Sequence, residues 1–297
     1  MPSHFASLDK ARSFLLLNAR LIDRLRFRFH WEEGSAEAVL QALKAYQNPD
    51  GGFGHALEPD IRCPHSQPVP LEVALDVIAE TGLRDKQLEE GMVQWLKASS
   101  LPQGGWPIIR GDAAGWPLSP WWEGLDASAP SINPTGTLLG LLYRSGWTEL
   151  AGQDWFQAAE RSAWRMLERD PDREPQGYHE AVHWIAFLNA APDRERAEPL
   201  LRRLDAWLQK PGVIGLDFHA EGYVHKVLDW APEPNAYARR FIGDVAVEEH
   251  LDAMEREQEE DGGWPMSFPA LSPAAEMEWR GVVTLQRLLT LRAYGRL

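Results

Sequence analysis

The stretch QNPDGGFG (47–54) returns twice in altered form, as LPQGGWP (101–107) and QEEDGGWP (258–265), each time where a segment of helical periodicity ends. Asp-Gly and Gly-Gly tolerate φ > 0, so they turn the chain sharply where a helix must stop. The ring that follows pins the turn: Phe53, Trp106 and Trp264 are expected to pack back on the helix just ended. Gln47, Gln103 and Gln258 are expected to bond backbone groups that the helix end leaves open. A helix, a turn of this kind and a second helix make a unit that needs a neighbour to bury its apolar face, so the phrase reads as the mark of a helical repeat.

The run Q-x-P-D-G-G-F-G followed by PHSQPVPLEVALDVIAETG resembles the repeat of the protein prenyltransferase β subunits, and WLKASSLPQGGW is similar to the Gln-Trp motif of squalene-hopene-type cyclases. The likeness is one of repeats. It implies an all-α fold, an α/α toroid of about five to six helical hairpins in one domain over residues 1–297, with inner helices lining a central cavity. It also implies an isoprenoid or other apolar small molecule as the substrate.

Composition fits a large buried core, with 44% hydrophobic residues in 297. A net charge of −14 would repel a phosphate backbone, so nucleic acid is excluded as a partner. One cysteine, Cys63, rules out an intramolecular disulfide and suits a reducing compartment, the cytoplasm. The apolar run FLLL (14–17) is too short for a signal peptide or a membrane span.

Taken in order, the chain first offers a basic amphipathic helix over about 7–30, with Phe14, Leu17, Leu21, Leu25 and Phe29 on its apolar face. Such a helix packs inside a repeat protein; it would also suit peripheral contact with a membrane surface. Helices follow near 35–47, 70–83, 86–99, 134–145, 151–169, 178–190, 194–209, 244–260 and 273–295. Residues 107–133, rich in Pro, Gly and Trp, form a long ordered loop, as a lid or binding edge or as a cover over the core. In the irregular segment 211–243, YVHKVLDW suits a short strand or an extended edge.

Ionisable side chains gather at the places where the resemblance puts the cavity. In HALEPDIRCPH (55–65), Glu58 and Asp60 are the candidate acids, because a carboxyl kept dry has a raised pKa and can protonate an alkene or a leaving group. His55 and His65 flank them as candidate substrate contacts, with Trp121 and Trp122 from the long loop. The alternative for Asp60 is turn and cap chemistry.

In YHEAVHW (178–184), His179, Glu180 and His183 match H-E-x-x-H, where two histidines one helical turn apart can hold a divalent metal such as zinc while the glutamate activates water. His179 and Glu180 are therefore candidate catalytic residues, His179 and His183 candidate metal ligands, and Tyr178 a candidate substrate contact. A Tyr-His pair opening an inner helix echoes the zinc site of the prenyltransferases, but the D-x-C companion is missing, since Asp60 and Cys63 are spaced D-x-x-C. Glu278 and Trp279 at the start of the last helix complete the candidate set, beside His219, Glu221, His225 and Lys226 in HAEGYVHK.

The chain lacks D-x-D-D, D-D-x-x-D, a P-loop, G-x-G-x-x-G and G-x-S-x-G. Three readings stay open: an acid-type enzyme for an apolar small molecule, a metal-dependent enzyme such as a hydrolase using HEAVH, and a toroid that binds or scaffolds without chemistry.

Overall fold

The computed structural model describes residues 6–297. Among them there are twelve α-helices and no β-strand, as the periodicity predicts. The helices are α1 (Leu8–Asn18), α2 (Leu21–Trp31), α3 (Ala36–Lys44), α4 (Pro68–Thr81), α5 (Lys86–Ser99), α6 (Ile132–Arg144), α7 (Asp154–Glu168), α8 (Tyr178–Ala190), α9 (Arg194–Leu208), the single turn α10 (Val227–Trp230), α11 (Asp244–Arg256) and α12 (Pro273–Ala293). None is long and apolar enough to cross a membrane. The chain forms two compact units, 36–205 and 1–35 with 206–297, the division falling inside α9.

The unit 36–205 is built on alternation of apolar and charged helices. α4, α6 and α8 carry little charge; α6 packs most extensively on α8 and next on α4, while α3 lies on α4 and α7 on α6. α6 and α8 approach closely because α6 has glycines where the backbones meet. A Cβ on Gly136 would stand 2.4 Å from the His183 carbonyl oxygen, and one on Gly140 the same distance from that of Ala186. α4 starts on Pro68 and Pro70 and stops at Gly82, which takes φ +66°.

The two Gly-Gly turns of this unit share one architecture. The indole N–H of Trp106 donates to the Leu96 carbonyl at 3.1 Å, its amide donates to Thr135 Oγ1 at 3.0 Å, and its ring is fully buried. Phe53 is equally buried. The first glycine of each turn lies flat on a later helix: a Cβ on Gly51 would come within 2.1 Å of the Gly91 carbonyl oxygen, and one on Gly104 within 2.1 Å of that of Ala158. Both glycines have positive φ as well, so shape and conformation together demand glycine there.

The loops after these turns close on each other. Ile61 bridges to Leu118, the Arg62 amide donates to the Pro117 carbonyl at 3.1 Å, and Ile61, Cys63, Ile109 and Ala113 form a small core under Trp122. Residues 107–131 are thus an ordered layer with two 3₁₀ turns, Gly111–Ala113 and Pro120–Trp122.

In the other unit the third turn repeats the second. Trp264 is buried, its indole donates to the Met254 carbonyl at 2.7 Å, and its amide donates to Thr284 Oγ1 at 3.0 Å. Gly262 lies against α1, where its Cβ would meet the Lys10 carbonyl oxygen at 2.2 Å. Gln258 clamps the start of that helix, accepting from the Ser7 amide at 2.7 Å and donating to its carbonyl at 2.9 Å. α12 packs on both α1 and α2.

Three local expectations are corrected. The helix expected over 7–30 breaks at Ala19 and Arg20, which are extended; Ala19 is buried against Gly281 and the Asn18 side chain donates back to the Phe14 carbonyl. Its buried face is therefore Phe14, Leu15, Ile22 and Phe27, and Leu17 and Leu21 are exposed at the break. YVHKVLDW makes no strand: one bridge joins Gly215 to Lys226, and the chain then winds into α10. Gln103 is not the counterpart of Gln47 and Gln258. It precedes the first glycine by one residue rather than four, and its side chain donates to the Ser128 carbonyl at 2.7 Å.

Candidate acid-base site

The polar side chains that three apolar helices hold between them converge on Glu72 of α4, Thr137 of α6 and His183 of α8. Glycine at positions 136 and 140 draws α6 onto α8, which brings Thr137 Oγ1 to 2.5 Å from His183 Nδ1. Glu72 bonds the same hydroxyl, and its Oε1 is 3.8 Å from His183 Nδ1. Thr137 and His183 are buried, and the Glu72 side chain keeps 17% of its surface accessible.

Burial decides the charge state of both ends. Desolvation raises the Glu72 carboxyl well above the usual carboxylate range, and the charges of Asp76, one turn on, and Glu58 push it further in that direction; the Thr137 bond works against them. His183 is pushed down to about 3, by desolvation first and then by His179. His179, which keeps an exposed face at the start of α8, is lowered by partial burial as well. Both shifts favour a neutral acid and a neutral imidazole over an ion pair at the contact between Glu72 and His183.

One hydroxyl between two groups fixes what they can exchange. Thr137 has a single proton to donate and lone pairs to accept. If Glu72 is protonated it donates to Thr137, which donates to His183 Nδ1. If Glu72 is ionised, His183 carries its proton on Nδ1 and the chain of donation runs the other way. A proton shift along three side chains thus converts one state into the other.

The candidates read from the sequence are distributed around and away from this cluster. Glu58 is buried and acts on Glu72 through its charge; His179 acts likewise on His183. Tyr178 lies edge-on to the His179 ring at 5.4 Å. Glu180 turns to the other side of α8, where it pairs with Arg173, accepts from the Gln176 amide at 2.8 Å and accepts from the Trp184 indole at 3.3 Å. Among the described residues no group of three or more His, Cys, Asp or Glu side chains is placed to hold a metal ion.

Asp60 is buried and accepts from Ser119 Oγ at 2.8 Å, while its carbonyl accepts the Ser119 amide at 3.0 Å, so it fastens the two loops together. His55 has φ +55° and its Nε2 lies 2.9 Å from Asn48 Oδ1. His65 meets Trp116 edge-on at 5.9 Å. Trp121 is exposed and Trp122 roofs the small loop core. Burial raises the Cys63 thiol.

Glu278 and Trp279 belong to the other unit, where Trp279 meets Phe268 edge-on at 5.2 Å and Phe268 meets Tyr223 at 6.0 Å.

Sequence reading missed Glu72, Asp76 and Thr137. The signal was present: in PVPLEVALDVIAET three carboxylates, Glu72, Asp76 and Glu80, stand one turn apart on a helix otherwise apolar, and Thr137 sits between the two glycines of G-T-L-L-G. No family model, curated protein or solved structure matches the chain, so the reading of this cluster rests on its own geometry.

Proposed function

We propose that the α4–α6–α8 cluster is the active site of an enzyme that acts on a small molecule by proton transfer. Glu72 is the general acid. The observation that carries this reading is a largely shielded carboxyl with a raised pKa, joined through one hydroxyl to a buried histidine whose pKa is lowered. Glu72 gives its proton to the substrate and becomes a carboxylate. The proton that the substrate cation gives up on forming product is taken up at His183 Nε2, the Nδ1 proton then passes to Thr137, and the hydroxyl's own proton returns to Glu72. The low pKa of His183 makes its charged form short-lived and so speeds its release of the proton. Glu58 and Asp76 favour the protonated acid, and His179 favours the neutral imidazole.

The resemblance to the prenyltransferase and squalene-hopene cyclase repeats supports an α/α toroid and an isoprenoid or other apolar substrate, with the proton delivered to an alkene or a leaving group. The metal-dependent reading gains nothing from the geometry, because Glu180 is held by Arg173.

The test is incubation of the purified protein with polyisoprenoid alcohols, their diphosphates and their epoxides, with products followed by mass spectrometry. Wild type should form isomerised or cyclised product, and Glu72→Gln should reduce turnover by at least about a hundredfold, the range expected for loss of a general acid. Product formation unchanged in Glu72→Gln would remove the acid from the mechanism, and no product from wild type on any of these compounds would remove the isoprenoid substrate.

A further inference from the structure

The first and third turns hold the same acid in the same pose. Asp50 Oδ1 accepts from the Gly52 amide at 3.0 Å, and Asp261 Oδ1 accepts from the Gly263 amide at 3.0 Å. Each turn also faces a ring from the helix it rests on. Trp95 lies four residues beyond Gly91, and Phe14 four beyond Lys10, the two backbone positions that the glycines touch.

In the third turn an arginine of the chain fills the space between acid and ring. The Arg280 guanidinium stands over Phe14, 4.6 Å from the ring centroid, and donates to both oxygens of Asp261 at 2.8 and 2.9 Å. It also donates to Glu259 and to the Trp264 carbonyl. In the first turn no arginine among the described residues bonds Asp50; Arg110 lies over the Trp95 ring at the longer distance of 6.0 Å and pairs with Asp112 instead. The Phe53 carbonyl accepts the Gln67 amide, and the Gln67 side chain is drawn away to Asp112 and to the Arg110 amide. What remains is an open recess of about 330 Å³, with Ser66 and Trp95 at its floor and Asn48, Asp50, Arg110 and Asp112 around it.

We infer that this recess binds a guanidinium group supplied from outside the chain, with Asp50 and Trp95 serving as Asp261 and Phe14 serve Arg280. Ser66 Oγ donates to Asp50 Oδ1 at 2.7 Å, which together with the Gly52 amide fixes the carboxylate and leaves Oδ2 for the ligand. A planar cation fits better than an ammonium, because it can fork to the carboxylate while lying flat against what little of the Trp95 indole stays exposed. Arg110 stands at the wall, 6.0 Å from the Trp95 centroid and 3.5 Å from Asp112, where its charge opposes the ligand.

Agmatine and a blocked Gly-Arg-Gly peptide, titrated calorimetrically into the full chain, supply the test. Wild type should bind at least one of them saturably, with a Kd of about a millimolar or tighter. The neutral citrulline analogue should not bind. Asp50→Asn keeps an acceptor for the Gly52 amide and should fold normally by circular dichroism, yet weaken binding at least about tenfold, the loss expected for a charge-assisted pair. Arg110→Gln should tighten it. Binding of agmatine alone identifies a small guanidino compound, and comparable binding of the peptide an arginine of a protein partner. Absence of saturable binding in wild type, equal affinity in Asp50→Asn, or weaker binding in Arg110→Gln would each overturn the assignment.

Discussion

The Gly-Gly turns and the α4–α6–α8 cluster treat polar groups in opposite ways. At the second and third turns the polar groups have partners that hold them in their ordinary states: the indoles of Trp106 and Trp264 reach helix carbonyls, their amides reach threonine hydroxyls, and Asp261 takes an arginine. In the cluster the groups are partnered too, but with one another and away from water, so that Glu72 and His183 are driven towards their neutral forms. The first arrangement stabilises a fold. The second leaves titratable groups far from their solution behaviour, which stability alone does not require.

The comparison breaks most directly at the rings. Trp106→Ala and Trp264→Ala should each lower stability by about 3–5 kcal/mol, because each leaves a cavity together with an unmatched carbonyl. Thermal or urea unfolding measures this, and a loss below about 1 kcal/mol in both variants would mean that the turns do not anchor the helices.

Next in size is a pH effect that belongs to the cluster alone. Between about 3 and 6.5 unfolded His183 binds a proton that the folded form does not, so protonation pulls the equilibrium towards the unfolded chain as pH falls. His183→Gln should flatten that part of the stability curve by a few kcal/mol. Glu72 acts in the opposite sense: above the ordinary glutamate pKa the unfolded chain gives up a proton that the folded one keeps, so rising pH destabilises until the folded group itself ionises. Glu72→Gln should remove that decline. Wild-type and His183→Gln curves of equal slope on the acid side would contradict the burial of a neutral imidazole.

The smallest effect sharpens the repeat itself. Gln258→Ala should cost about 1–2 kcal/mol, since Gln258 bonds Ser7 twice and Gly262 once, whereas Gln103→Ala should stay within about 0.5 kcal/mol. Equal losses in chemical denaturation would restore Gln103 as the counterpart of Gln258.

These contrasts explain what the sequence could reveal. Local rules placed the helices to within a turn: α4 stops at Gly82 as expected but starts at Pro68, two residues before the expected position 70, and α8 begins and ends where its periodicity does. The buried rings after Gly-Gly were legible because the turn itself calls for glycine and each indole packs back on the helix just ended, although the glycines also touch other helices. The break at Ala19 carries neither Gly nor Pro. It follows from contact with Gly281, more than two hundred and fifty residues away, and no window of sequence contains both.

The site was legible in part. H-E-x-x-H drew attention to His179 and His183, but a motif cannot show that Glu180 turns towards Arg173 while Thr137 comes to His183 from another helix. Glu72 was hidden for a different reason. Its chemistry comes from the helices around it, and a carboxylate on an otherwise apolar helix looks the same in sequence whether its neighbours are water or protein.

The central claim is that Glu72 is a neutral acid coupled to His183 through Thr137, and a carbon-13 NMR titration of the glutamate side-chain carboxyls tests it most directly. The Glu72 signal, assigned through Glu72→Gln, should titrate well above the ordinary glutamate range, and still higher in Thr137→Val, because the hydroxyl bond lowers it. A Glu72 carboxyl that titrates with the surface glutamates, and does not respond to loss of the Thr137 hydroxyl, would contradict the account.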